Sequence, residues 1–114
     1  MKNLFVPYEQ ALQLKELGFN EPYCFGYYDG EQDNKLIPAL PLTMINTLNG
    51  DIDAPLYSQA FRWFREKYNL IMHIQRHSNK KYLACMGIQV EILCDTYEEA
   101  ELACLKKLIE IAKN

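Results

Sequence analysis

The strongest constraint on the fold is a change of apolar period, made twice in the second half of the chain. Ala54–Tyr68 repeats at helical spacing: Leu56, Tyr57, Ala60, Phe61, Trp63, Phe64 and Tyr68 form one wide arc, with Ser58, Arg62, Arg65 and Glu66 opposite. Leu70–Arg76 then alternates, as does Tyr82 to about Leu93, with Ile88, Val90 and Ile92 on one face and Gln89 and Glu91 on the other. Helical spacing returns from Asp95 to Lys113 through Tyr97, Ala100, Cys104, Leu105, Leu108, Ile109 and Ile111. A helix, a hairpin and a helix in succession require an α+β layer in which the helices cover one side of an antiparallel sheet.

The first half gives the same elements with weaker periods. Val6–Leu17 reads as a helix with Pro7 in its first turn, ended by Leu17-Gly18-Phe19, where Gly18 can turn left-handed and Phe19 folds back. Asn20-Glu21-Pro22 is a turn. Tyr23–Tyr28 reads as a strand with Cys24, Gly26 and Tyr28 on one face and Tyr23, Phe25 and Tyr27 on the other. Asp29-Gly30 opens a polar loop. Lys35–Ala39 returns as a short strand, confined to an edge by Pro38 and Pro41. Leu42–Asp53 has no period and reads as a long loop. Asp53 is placed to cap the second helix and Asp95 to cap the third, while Asn69 ends the second in a left-handed conformation. Gly87 marks a bulge in the last strand. At 114 residues the chain is one domain's worth of material, so the expected fold is a single two-layer α+β domain of order α-β-(β)-α-β-β-α.

Charge narrows the functional classes. The formal net charge of −3 argues against duplex DNA as a partner. Its distribution is uneven: residues 1–55 carry −5, residues 56–90 carry +5 and residues 91–114 carry −3. The basic middle offers Arg62, Arg65, His73, Arg76, Lys80 and Lys81 as candidate contacts to an anion. Rings among them (Phe61, Trp63, Phe64, Tyr68 and Tyr82) could stack on a nucleotide-like ligand, although most must serve the core.

Catalytic and metal constellations are missing from the pattern. Only His73 and His77 are available as histidine bases, and neither has a nucleophile and an orienting group at a recognisable spacing. There is no glycine-rich phosphate loop. Asp29/Asp33 and Asp51/Asp53 lack the ligand spacing of a calcium site. Cys24, Cys85, Cys94 and Cys104 form no C-x-x-C pair and read as small buried hydrophobes in a reducing cytosol. No catalytic residue, metal or cofactor is expected. No apolar run reaches membrane-spanning length, and the first residues do not form a secretory signal.

Three stretches carry a resemblance. Val6-Pro7-Tyr8-Glu9-Gln10-Ala11-Leu12 with Lys15-Glu16-Leu17-Gly18-Phe19, then Ala54-Pro55 with Gln59-Ala60-Phe61-Arg62-Trp63-Phe64-Arg65-Glu66-Lys67-Tyr68, then Asp95-Thr96-Tyr97-Glu98-Glu99-Ala100-Glu101-Leu102, resemble a set of short proteins. Those proteins are encoded by phages and prophages of gut Bacteroidota-type bacteria. The resemblance covers the three helices and brings no activity or site residue with it. It implies a virus-derived accessory protein acting in a bacterial cytoplasm.

The expected function is therefore a non-catalytic binding protein of phage origin, with a counter-defence role. It would bind a host protein or sequester a small anionic nucleotide. Ile71 and Leu93, on otherwise polar strand faces, point to a subunit contact and a homo-oligomer. Two alternatives stand beside it: a small metal-dependent nuclease or phosphodiesterase acting through Asp51, Asp53 or His73, and a virion or packaging accessory.

Overall fold

A computed structural model describes residues 4–19, 24–38, 52–77, 80–86 and 90–113. The element order is α1 (Tyr8–Glu16), β1 (Gly26–Asp29), β2 (Lys35–Pro38), β3 (Ile52–Asp53), α2 (Tyr57–Tyr68), β4 (Met72–His77), β5 (Lys81–Met86), β6 (Val90–Cys94) and α3 (Tyr97–Lys113). The expected α+β class and antiparallel pairing hold. The strands, expected in one sheet, form two sheets of three, ordered β2-β1-β3 and β4-β5-β6. The chain divides into two compact units, residues 1–56 and 57–114.

In the first unit α1 runs one turn shorter than its apolar pattern, with Pro7 as the extended residue before it. Its end is the one the sequence announces. Gly18 is left-handed at φ 100°, the Gly18 amide donates to Lys15 and the Phe19 amide to Leu14, and Phe19 is buried. Cys24, Gly26 and Tyr28 face inward, and Phe25 lies outside. The Tyr28 hydroxyl donates to the Val6 carbonyl, and its ring meets Tyr8 edge-on at 5.5 Å. Gly26 is closely packed: a β-carbon there would lie 3.0 Å from the Ile37 carbonyl oxygen and 3.1 Å from the Phe5 ring, so those neighbours would have to give.

The polar turn after β1 is a single 3-10 turn over Gly30–Gln32. Asp29 accepts from the Glu31 amide at 3.0 Å and from the Gln32 side chain at 2.7 Å. Asp33 and Asn34 then take left-handed φ values of 57° and 60°, closing the β1–β2 hairpin. Pro38 ends β2 at the sheet edge, where its missing donor costs nothing.

Two helix-start assignments are corrected. Asp53 does not cap α2. It pairs with Tyr27 as the last residue of β3, and α2 begins at Tyr57. Ala54 is held instead by its amide bond to the Gly26 carbonyl at 3.0 Å, which keeps 53–55 extended. The cap of α3 is Thr96, one residue later than Asp95: the Thr96 hydroxyl accepts from the Glu99 amide at 3.1 Å. The Glu99 carboxylate reaches back to the Asp95 amide at 3.4 Å, as in a capping box shifted by one position.

In the second unit β4, β5 and β6 form a meander with α3 packed on all three strands, and α2 packs against α3. Phe64, Cys104 and Leu105 are fully buried and Leu108 nearly so. Asn69 ends α2 at φ 56°, and the Leu70 amide donates to the Phe64 carbonyl. The last strand expected from the sequence is two strands. Met86 pairs with Val90, so the chain reverses between them. Gly87, expected as a bulge, lies outside the described residues, as do Asn20-Glu21-Pro22, Tyr23 and most of the 42–53 loop.

Candidate binding face

Strand register sorts the side chains of the second unit onto two faces. One carries Met72, Ile74 and Arg76 of β4, Tyr82, Ala84 and Met86 of β5, and Val90, Ile92 and Cys94 of β6. This is the face under α3: Tyr82 meets Tyr97 edge-on at 5.8 Å, and Ala84 and Met86 are buried. The other face is laid out in rows across the strands. His73, Cys85 and Glu91 make one row, Gln75, Leu83 and Leu93 the next, and His77 and Lys81 the third. Lys81 extends that third row to Asp95 through an ion pair of 3.4 Å.

This outer face mixes apolar and polar groups. Leu93 is 51% exposed and Ile71, just before β4, is 61% exposed. Leu83, beside Leu93 in its row, is half-buried, and His73, Gln75, His77, Lys81 and Glu91 are exposed on the same face. The His73 ring lies 3.4 Å from the Gln75 side-chain oxygen. Cys85, central in its row, is buried between neighbouring side chains, and burial together with Glu91 raises its thiol above the ordinary range. The row His73-Cys85-Glu91 has metal-ligand chemistry in its composition. Even so, no three His, Cys, Asp or Glu side chains among the described residues could hold an ion together.

The six candidate anion contacts are divided among different surfaces. His73 and Lys81 stand on the outer face and Arg76 on the α3 side of the same sheet. Lys80 sits at the start of β5 with a left-handed φ of 60°. Arg62 and Arg65 lie on the exposed side of α2, where Arg62 pairs with Glu66 at 2.9 Å. Of the alternative catalytic residues, Asp53 belongs to the first unit and His73 to the second, and Asp51 lies outside the described residues.

The rings of α2 are used internally. Trp63 packs edge-on to Phe64 at 5.1 Å and to Tyr68 at 5.5 Å, and the Lys67 ammonium lies 4.9 Å from the Trp63 ring centre. The cation over the indole is thus the chain's own. All four cysteines are free thiols and buried; Cys104 is pushed up to about 12 by burial, reinforced by the neighbouring Cys94.

Sequence reading missed Gln75, Leu83 and Glu91 as parts of one surface. Their signal was the alternation itself. Reading Tyr82–Leu93 as one strand placed Glu91 and Leu93 far along from Leu83, whereas the reversal sets Leu93 directly beside it. No helix among the described residues is long and apolar enough to cross a membrane. Comparison of the chain with protein-family models, with curated proteins and with solved structures finds no match.

Proposed function

We propose that this chain is a non-catalytic binding protein, and that the outer face of β4-β5-β6 receives a protein partner. The observation that carries the reading is exposed apolar surface among polar groups: Leu93, beside the half-buried Leu83 on a face that α3 leaves open, with Ile71 exposed just before the far strand, β4. Apolar and polar groups side by side on one exposed surface are the composition of a protein interface. A small anion would need converging donors, and the basic side chains point from different surfaces instead. The resemblance of the three helical segments supplies the setting of the proposal: a phage-derived accessory protein, with a counter-defence role, in a bacterial cytoplasm.

Replacing both apolar groups, Ile71→Asp with Leu93→Asp, tests the reading. Each is exposed, so the fold should survive, with an unchanged circular dichroism spectrum. The variant should lose the protein complex that the parent forms, read by size-exclusion chromatography of the chain from its own cells. An equally large complex in parent and variant contradicts the assignment of this face.

A further inference from the structure

Among the described residues four strands lie at sheet edges: β2 and β3 in the first unit, β4 and β6 in the second. An edge strand presents unpaired backbone N–H and C=O groups, and proteins guard such edges with charge, proline or short length. β2 opens with Lys35 and closes with Pro38, and β3 has only two residues. β4 carries His73, Arg76 and His77. β6 is the most weakly guarded of the four. Val90–Cys94 has no proline, one charged residue, Glu91, and an exposed Leu93. Nothing among the described residues pairs with its outer edge.

We propose that β6 pairs with β6 of a second copy of this chain, antiparallel about a two-fold axis at Ile92, so that the two meanders become one continuous sheet. The proposal goes beyond the protein-binding reading: it concerns the edge of this sheet rather than its outer face, and shares only Leu93 with it. A two-fold contact of this kind is the commonest way for identical chains to close on each other.

Register follows from face and charge. A continuous sheet keeps the α3-covered sides of both copies together, so directly opposed residues must share a face. The axis then falls on a residue of β6. Placed at Leu93, it sets Glu91 opposite the second copy's Asp95 twice. Placed at Glu91, it sets the two Glu91 side chains together. Like charges directly opposite destabilise a strand pair. At Val90 or Cys94, most of the strand overhangs its partner. At Ile92, all of β6 is paired: Val90 opposes Cys94, Glu91 opposes Leu93, and no carboxylate faces another directly. Each exposed Leu93 is then covered by the aliphatic stem of a Glu91 and lies diagonal to its own copy.

Sedimentation velocity on the full chain tests the contact, with circular dichroism confirming that each variant is folded. The parent is expected to sediment as a dimer. Leu93→Glu places a carboxylate opposite the second copy's Glu91 and should weaken dimerisation by about tenfold or more. Adding Glu91→Lys to Leu93→Glu turns each clash into an ion pair and should restore the dimer. The axis at Ile92 requires that rescue, and a merely structural role for Leu93 would not produce it. A monomeric parent, a dimer indifferent to Leu93→Glu, or a failed rescue in a folded double variant overturns the proposal. If the parent is monomeric yet holds a different protein through Ile71 and Leu93, the self-pairing falls and the protein-binding reading stands.

Discussion

Asp53 shows how a single residue takes its properties from the element that holds it. In a helix cap its carboxylate would be stabilised by free amides. In β3 it is half-buried beside Tyr27, and desolvation raises it from its ordinary value of 3.8, with Lys15 opposing the shift. The native state thus binds this proton more tightly than the unfolded chain does. The contribution is most favourable below the unfolded value, and stability falls as pH rises through the window between the ordinary and the raised value. Asp53→Asn should remove that fall, giving a flatter dependence of the urea midpoint on pH across the window. Lys15→Met should steepen the fall in the parent background. An unchanged slope in Asp53→Asn would show that the carboxyl is fully solvated.

Among the elements, α3 illustrates what local sequence specifies and what it leaves open. Its apolar arc places Ala100, Cys104, Leu105, Leu108 and Ile109 in the core, as the helical period requires. Its start was legible only to within one residue, because Asp95 and Thr96 are both good caps and Glu98 and Glu99 both good third-position acids. In the structure Asp95 faces Lys81 in an exposed ion pair while Thr96 accepts the Glu99 amide. Thr96→Ala should therefore cost about 1 kcal/mol of stability, measured by urea unfolding. Asp95→Ala removes only an exposed ion pair and should cost a few tenths, about the median for such pairs. The reverse order of effects would return the cap to Asp95.

The same limit explains the other differences between sequence and structure. Helix ends with a glycine or asparagine signal, Gly18 and Asn69, are found where the sequence puts them, because a left-handed residue is a backbone event with few alternatives. The start of α2 was not legible. Ala54-Pro55 suits a first helical turn as well as an extended segment, and only the pairing of Asp53 with Tyr27 and the bond from Ala54 to Gly26 choose between them. Reversal between Met86 and Val90 was hidden for a similar reason: alternation on both sides of it is in phase, so one long strand and two short ones leave the same pattern.

At the scale of the molecule, the outer face of β4-β5-β6 is a product of topology. His73, Leu83 and Leu93 come from three strands, and only the meander makes them neighbours. The exposed Ile71 and Leu93 were visible in the sequence as apolar residues out of phase with their strands. The surface they belong to was not, since it depends on a register set by long-range pairing. The basic residues show the converse. Their closeness along the chain suggested one patch, and the alternation of β4 and the separate placement of α2 distribute them over several surfaces.

The central claim is that this chain works by holding a protein on an open sheet face. Native mass spectrometry of the chain purified from the cells that make it tests this most directly, because it weighs protein partners and retained small molecules in one spectrum. The account predicts a complex of at least two protein chains, with no nucleotide-sized addition to either. A single chain carrying a nucleotide-sized adduct would contradict it.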